Sequence, residues 1–348
     1  MPHSTVLVGF GLGGRVYHAP LLLAERGLSL DGIVTGNAER AAQARALVPG
    51  AAIYTTLDEA LAAGHDLAVI TTANRAHVPD ATACLAAGVN VVLDKPIAPD
   101  LASARALRDR AREAGRLLIP YQNRRWDTDV LTCAQVRAGG RLGRIHRLVT
   151  RIDRMRPEPK PGWRSSADPE DLGGMLYDLG AHAIDQARVI MGPVREVYAR
   201  VRTVRRDGDP DDDATIVLTH DDGAVSIVTV SQASAFVEPR LMLLGTRGAL
   251  RIDIIDRQEI ALAAGAVPGP AGWYGDVGTG TLRTNDDDGT AHDEEIALVP
   301  GDWPGFYRGV VMALDGGSVP VDIDDVLDTV AVLDAARESG RTGQAISL

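Results

Sequence analysis

The sequence predicts an α/β protein of two domains. A doubly wound parallel sheet is expected over residues 1–121 and a second α/β domain, built on an antiparallel or mixed sheet, over 122–348. Three observations predict this. The chain's 348 residues exceed what one hydrophobic core usually covers. Buried apolar runs alternate with helical segments over the first 121 residues, and from Arg144 onward short strands follow one another with turn signals between them.

The opening, Thr5-Val-Leu-Val-Gly-Phe-Gly-Leu-Gly-Gly14, is an apolar run that breaks into glycines at Gly9, Gly11 and Gly14. Val6 to Val8 reads as a buried parallel strand and Arg15 to Arg26 as the helix after it. In that setting Gly9 permits a tight turn and Gly11 lets the backbone approach a pyrophosphate. Gly14 lets the helix pack close to the strand, so that phosphates sit at the helix N-terminus. The bare pattern is equally compatible with a simple loop and depends on its context. The context is a βαβ rhythm. Leu28 to Thr35 reads as a strand, Ala38 to Leu47 as a helix, Ile53-Tyr54 as a short element, Asp58 to Ala63 as a helix and Leu67 to Thr71 as a strand. Pro79 to Ala87 is then helical and ended by Gly88, and Asn90 to Leu93 is a strand that runs into Asp94-Lys95-Pro96. Leu101 to Ala114 is helical, closed by Gly115, and Leu117 to Tyr121 is one more strand.

Beyond that point Ile145 to Ile152, Val194 to Val204, Ala214 to Thr219, Ala224 to Gln232 and Arg240 to Leu244 have strand character, with turn signals at Asp207-Gly208 and Asp222-Gly223. A helix from Met175 to Met191 interrupts them. A long helix from Ile323 to Glu338, stopped by Gly340, closes the chain.

Composition narrows the function classes. An apolar fraction of 45% with mean hydropathy near zero fits a soluble α/β protein. No run of about 18 apolar residues occurs and the start has no basic leader, so a cytoplasmic, unanchored protein is expected. A net charge of −11 argues against a nucleic-acid partner, which would need clustered Lys and Arg. Cys84 and Cys133 lack the spacing of a metal site or disulfide framework and read as buried free thiols. The acidic clusters Asp207 to Asp213 and Asp286 to Asp288 read as solvated hairpin turns without a chemical role.

Where an Asp or Glu would bind the ribose of NAD, at the end of the second strand, the chain reads Val34-Thr35-Gly36-Asn37-Ala38-Glu39-Arg40. Thr35 and Asn37 can hydrogen-bond a 2′-phosphate and Arg40 can pair with it, which favours NADP over NAD. The same residues would equally make a turn and cap a helix. Thr71, Thr72 and Asn74 follow a buried strand at its carboxyl end, where open α/β sheets bind ligands; Asn74 either touches the cofactor or caps the helix. His77 stands at a helix entrance, with a structural role the simpler reading.

Lys95, at the carboxyl end of a buried strand, can place its ammonium against a substrate oxygen, and Pro96 restricts it to an extended backbone. A surface lysine is the alternative. Asp178 and His182, in Gly173-Gly174-Met175-Leu176-Tyr177-Asp178-Leu179-Gly180-Ala181-His182, stand i and i+4 on one helix face. A histidine there can take an alcohol proton while hydride leaves the carbon, with the carboxylate orienting ring or substrate. Metal ligation competes, but no third ligand stands nearby, and no metal is expected. Asp185 either faces the same side or is an ordinary surface acid.

Taken in this order, the glycine turn, the lysine-proline strand end and the Gly-Gly-x-x-x-Asp-x-Gly-x-His helix resemble the Gfo/Idh/MocA oxidoreductases over nearly the whole chain. The resemblance implies a Rossmann domain joined to an α/β domain with a large open, mostly antiparallel sheet. It implies hydride transfer between NAD(P) and a sugar or cyclitol, and dimers or tetramers packed through those sheets. It places the family's E-K-P motif on Asp94-Lys95-Pro96, with Asp for the commoner Glu, and its second-domain pair on Asp178 and His182, with His182 as general base. It puts the cofactor against Gly9, Phe10, Gly11, Gly13, Gly14, Thr35, Asn37, Arg40, Thr71, Thr72, Asn74, His77 and Lys95. Gly9-Phe-Gly-Leu-Gly-Gly-Arg-Val-Tyr-His-Ala-Pro20, Gln122-Asn-Arg-Arg-Trp-Asp127, Leu176-Tyr-Asp-Leu-Gly180 and Gly245-Thr-Arg-Gly248 are similar to the NADP-dependent scyllo-inositol dehydrogenase branch. Thr72-Ala73-Asn74 departs from that branch's Thr-Pro-Asn.

Polyol recognition needs hydrogen-bonding side chains beside an aromatic wall. Lys95, Asn123, Trp163, Arg164, Tyr177, Asp178, His182 and the Gly272-Trp273-Tyr274 loop can supply both. Trp126 and Trp163 can instead be packing residues. A basic pocket from Arg124, Arg125, Arg154 and Arg156 would suit a ketoreductase of a nucleotide-activated sugar or aminocyclitol precursor. A non-catalytic regulatory protein is the remaining alternative, against which the retention of Lys95, Asp178 and His182 counts.

Overall fold

The computed structural model describes residues 1–156, 158, 165–206, 208–236 and 238–348. The first sheet is built of β1 (His3–Val8), β2 (Leu28–Val34), β3 (Ala52–Tyr54), β4 (Leu67–Ile70), β5 (Asn90–Leu93) and β6 (Leu118–Pro120). All neighbours are parallel, in the order β3-β2-β1-β4-β5-β6. Between these strands run a π-helical turn at Gly13–His18 leading into α1 (Ala19–Ala24), then α2 (Ala38–Leu47), α3 (Leu57–Ala63), α4 (Asn74–Ala86) and α5 (Leu101–Ala114). β4 is buried at all four residues, as a parallel strand covered on both faces must be. The strand order reverses between β1 and β4, and the crevice outside their carboxyl ends is where such sheets take ligands.

The chain continues through a 3-10 turn at Asn123–Trp126, α6 (Thr128–Ala138), β7 (Ile145–Asp153), a π-helical turn at Leu176–Gly180, α7 (Ala181–Met191), β8 (Val194–Arg202), β9 (Asp213–His220), β10 (Val225–Ser231), β11 (Leu241–Gly245) and β12 (Gly248–Ile252). Then come α8 (Gln258–Ala263), β13 (Thr279–Asn285), β14 (Ala291–Ala297), α9 (Pro304–Leu314), α10 (Ile323–Thr342) and β15 (Ile346–Ser347). Nine of these strands form the second sheet, β14-β13-β12-β11-β7-β10-β9-β8-β15. Only β7 and β10 pair in parallel; the other neighbours are antiparallel. The predicted α/β class, with a parallel first sheet and a mostly antiparallel second one, is the architecture found.

Two compact units result. One comprises Met1–Asn123, Arg257–Tyr274 and Asp302–Leu327, the other Arg124–Asp256, Gly275–Gly301 and Asp328–Leu348. In the second, Ala214, Ile216, Leu218 and His220 of β9 are buried while alternate residues are half-exposed, so one face of the sheet meets the core formed with Ile184 and Ala187 of α7.

Several elements differ from the sequence reading. The helix expected from Arg15 to Arg26 is a π turn, its exit marked by the Ala19 N–H bonding Gly14 O, followed by a helix that ends at Ala24. α4 starts at Asn74, not Pro79, because Asn74, His77, Ala81, Cys84 and Leu85 give it a buried face that outweighs the hydrogen bond lost at the internal proline. α10 runs through Gly340 to Thr342. A Cβ at Gly340 would stand 3.1 Å from the Cβ of Val201, so this glycine admits β8 beside the helix and does not end it. Met175 to Met191 is likewise a π turn joined to α7, and β12 to β14 had no counterpart in the sequence reading. The Asp286 to Asp288 cluster does form the β13–β14 hairpin turn. Both cysteines are free and buried, and burial pushes the Cys84 thiol up to about 12.

Candidate functional site

In the first unit the glycine loop is locked from three sides. Gly9 has φ +96°, and its carbonyl accepts the Thr71 hydroxyl at 2.8 Å, tying β1 to the end of β4. A Cβ on Gly14 would collide with that same carbonyl and stand 2.7 Å from Thr71 Oγ1. The space beside Gly11 is open, with no atom within 4 Å of where a Cβ would lie. A bare backbone at the start of a helical turn, facing open space at the switch point, fits the pyrophosphate of a dinucleotide. The Phe10 side chain is fully buried and anchors the loop from within. Gly13 lies beside Asp94, whose Oδ2 would be 3.5 Å from a Cβ there.

At the end of β2, Thr35 is buried, while Asn37 and Arg40 are exposed. Asn37 Oδ1 accepts the Arg40 N–H at 3.0 Å and caps α2, so the capping role is in use. Thr72 donates its hydroxyl to Asp80 at 2.8 Å. Asn74 is buried as the first residue of α4, and the cap position falls on Ala73. His77 is buried and joins two strand ends, its Nδ1 2.8 Å from Pro96 O and its Nε2 3.2 Å from Thr72 O.

Lys95 leaves β5 half-buried, followed by a cis peptide to Pro96. Behind it lies a chain of polar groups that sequence reasoning did not find. Tyr307 and His18 are fully buried, and the phenol oxygen is 2.7 Å from His18 Nδ1. Burial pushes the Tyr307 phenol well up, reinforced by Tyr121 and Asp94, so it stays protonated, and with a carboxylate facing the ring's other nitrogen the phenol is the donor to Nδ1. That leaves the Nε2–H of His18 facing Asp94 Oδ2 at 3.6 Å. Burial raises the Asp94 carboxyl, but His18, Lys95 and His77 together outweigh it, His18 foremost, and the group is held below its usual range. Asp94 Oδ1 accepts the backbone N–H of Lys95 at 2.8 Å. His18 stands in the Tyr-His-Ala-Pro string noted above, but Tyr307 is 289 residues away from it and no local pattern announces it.

In the second unit Tyr177 and His182 are buried and Asp178 is half-exposed. Asp178 sits in the π turn and His182 in α7. A π turn advances less per residue than an α turn, so positions four apart across the junction come nearer to one line along the axis. Asp211 and Asp212, read as part of a solvated turn, are not idle. Asp211 Oδ2 accepts the Leu176 N–H at 2.8 Å, and buried Asp212 accepts from Arg205 Nε at 2.7 Å. Asp185 is no surface acid: it is buried and grips Arg125 through two bonds of 2.7 and 2.8 Å. Arg124 pairs with Asp127 at 3.3 Å. Asn123, buried in the 3-10 turn, and Trp273 and Tyr274, which meet edge-on at 5.6 Å, belong to the first unit. Trp163 and Arg164 lie outside the described residues.

Residues 4–122 match the oxidoreductase family with an NAD-binding Rossmann fold, and residues 130–251 match the Gfo/Idh/MocA C-terminal domain. Scyllo-inositol 2-dehydrogenase (NADP(+)) of Bacillus subtilis is 30% identical over 98% of this chain and 95% of its own. This chain belongs to the Gfo/Idh/MocA family. Another relative, D-apiose dehydrogenase of Rhizobium rhizogenes, is 27% identical over 82% of this chain and 80% of its own. An oxidoreductase structure from Bacillus subtilis superposes with a TM-score of 0.93 at 29% identity, covering all of both chains. The Gfo/Idh/MocA assignment makes the chain an oxidoreductase with a nicotinamide-nucleotide fold. Among the described residues no helix is long and apolar enough to cross a membrane.

Proposed function

We propose that this chain is a cytoplasmic, NADP-preferring dehydrogenase that interconverts a ring hydroxyl and a ketone on a cyclitol or sugar. The observation that carries the reading is the lysine at the carboxyl end of β5, backed by the Tyr307–His18–Asp94 chain and next to an open glycine cradle. The nucleotide, when bound, supplies the hydride acceptor or donor. The glycine loop would hold its pyrophosphate, with Thr71, Thr72, Asn74 and His77 at the neighbouring strand end. Lys95 hydrogen-bonds the substrate oxygen, and its positive charge stabilises negative charge that develops there. His182 takes the hydroxyl proton, Asp178 orients the imidazole or the substrate, and Asn123 and Tyr177 contribute to polyol recognition.

Support for NADP comes from the lack of an acid at the end of β2 and from Arg40, whose exposed guanidinium has no ion-pair partner among the described residues. The name of the Bacillus subtilis relative points the same way, and the inositol and apiose relatives support a polyol substrate. Arg124 and Arg125 are committed to Asp127 and Asp185, which counts against a diphosphate pocket and an activated-sugar substrate. Self-association into a dimer or tetramer through the half-exposed face of the nine-stranded sheet belongs to the same reading.

The test follows the absorbance of reduced nicotinamide while the protein is offered inositols, hexoses and their keto forms with NADP and NAD in parallel. Turnover of a cyclitol or sugar with NADP is expected. Tight nucleotide binding with no turnover of any free polyol would refute the reading. His182→Ala should keep nucleotide binding and lose about a hundredfold or more in kcat, as for a missing general base; unchanged turnover would remove His182 from that role.

A further inference from the structure

Asp211 stands just before β9 and reaches the first turn of the segment that carries Asp178 and His182. Its Oδ2 accepts the Leu176 N–H at 2.8 Å and its main-chain carbonyl accepts the Met175 N–H at 2.9 Å. Two amides that a helix start leaves without intrahelical partners are thereby satisfied by one residue. Gly174, φ +93°, makes room for this: a Cβ there would overlap Asp211 Oδ1 and stand 2.7 Å from its Cγ. The Gly174 carbonyl in turn accepts the Asp178 N–H at 3.0 Å.

The base of Asp211 is itself held. Asp212 accepts from the Val204 N–H at 2.8 Å and from Arg205 Nε at 2.7 Å, and its carbonyl accepts the Gln232 N–H at 2.8 Å. Asp178 and Asp211 line one small cavity of about 20 Å³, room for a single water, together with Gly174, Arg205 and Asp212.

We propose that Asp211 is a positioning residue for the hydride-transfer reaction, its carboxylate capping the π turn and setting where Asp178 and His182 stand, with Gly174 present to admit it. This rests on the function proposed above. It assigns a task to a carboxylate outside the Gly-Gly-x-x-x-Asp-x-Gly-x-His string and a reason for that string's second glycine.

The experiment compares Asp211→Ala, which loses the acceptor, with Asp211→Asn, which keeps an oxygen there. Kinetics are read beside nucleotide binding and amide hydrogen exchange at residues 176–182. The Ala variant should lose about tenfold or more in kcat, with substrate KM and nucleotide affinity within about twofold, and exchange about tenfold faster over 176–182 than the wild type. The Asn variant should return to within about threefold of wild-type kcat. Wild-type kcat in the Ala variant, or an Asn variant as slow as the Ala one, would overturn the proposal. Should the Ala variant fail to fold, Gly174→Ala decides, since it drives a methyl group into the same carboxylate. Lowered kcat with intact nucleotide affinity supports the positioning role, and unchanged kcat overturns it. Exchange needs no substrate, so a protein that oxidises no polyol would defeat the functional reading while the exchange data still decide the cap.

Discussion

Tyr307→Phe removes one oxygen from the interior of the first unit and nothing else. The ring keeps its edge-on contact with Phe306 at 5.2 Å and its place 6.0 Å from Tyr121, so no cavity larger than a hydroxyl opens. What is lost is the donor to His18 Nδ1 at 2.7 Å, between two fully buried side chains. A buried ring nitrogen left without its partner costs about 1–3 kcal/mol, and for a unit of this size each kcal/mol lowers the melting temperature by roughly 2–4 °C. The second effect is electrostatic. Without the phenol, the ring loses the bond that anchors its far side and can turn about its Cβ–Cγ axis, so Nε2–H no longer faces Asp94 in every molecule, and the Asp94 carboxyl rises toward its ordinary range. The assay is thermal unfolding followed by circular dichroism, repeated across acid pH. A folded Asp94 with a depressed pKa contributes stability above the unfolded carboxyl value, lost as pH falls through the depressed one. The Phe variant should therefore show a lower melting temperature at neutral pH and a smaller loss on acidification. Identical curves for the two proteins would refute the idea that Tyr307 fixes His18 and, through it, Asp94.

Other outcomes follow from the same geometry. Gly14→Ala places a methyl group against Gly9 O and Thr71 Oγ1, where backbone has to move, and overpacking of this kind costs about 1–3 kcal/mol; nucleotide affinity measured by fluorescence titration should fall more than stability does. Asp185→Asn takes the negative charge and one acceptor oxygen out of a buried two-bond pair with Arg125, for about 3–5 kcal/mol, seen as a lower urea midpoint. Burial pushes the Asp211 carboxyl up to about 6 against the Leu176 and Met175 amides, with Asp212 reinforcing the rise. A raised acid favours the fold below its unfolded pKa and loses that contribution as pH rises through the folded one. Wild-type stability should decline between about pH 4 and 6 on this account, and Asp211→Asn should flatten that stretch of the profile.

The first sheet was legible because its central strands β4 and β5 are short apolar runs and β1 ends in one, and Gly115 closes α5 as read. The second sheet was legible only in its centre. β14, Ala-His-Asp-Glu-Glu-Ile-Ala, is exposed at six of seven positions and carries no alternating apolar pattern. Hydrogen bonding to β13 makes it a strand, and that is a tertiary fact. The π turns at Gly13–His18 and Leu176–Gly180 were read as ordinary α-helix because residue type scarcely distinguishes the two. Lys95, Asp178 and His182 drew attention through residue type and spacing. Tyr307 and Asp211 did not, since what they do depends on partners far along the chain, and an aspartate in the run Asp209-Pro-Asp-Asp212 is indistinguishable in sequence from one in a surface turn.

The first unit is discontinuous, and this orders its assembly. Its glycine loop and all six strands are made within the first 120 residues, yet Trp303, Phe306 and Tyr307, among its largest fully buried side chains, come from α9 and the residue before it. During synthesis the nucleotide sheet can form early, but its interior stays unfilled, and His18 waits for its donor, until more than 300 residues have emerged. The part of the protein whose motif is made first is among the last to be finished.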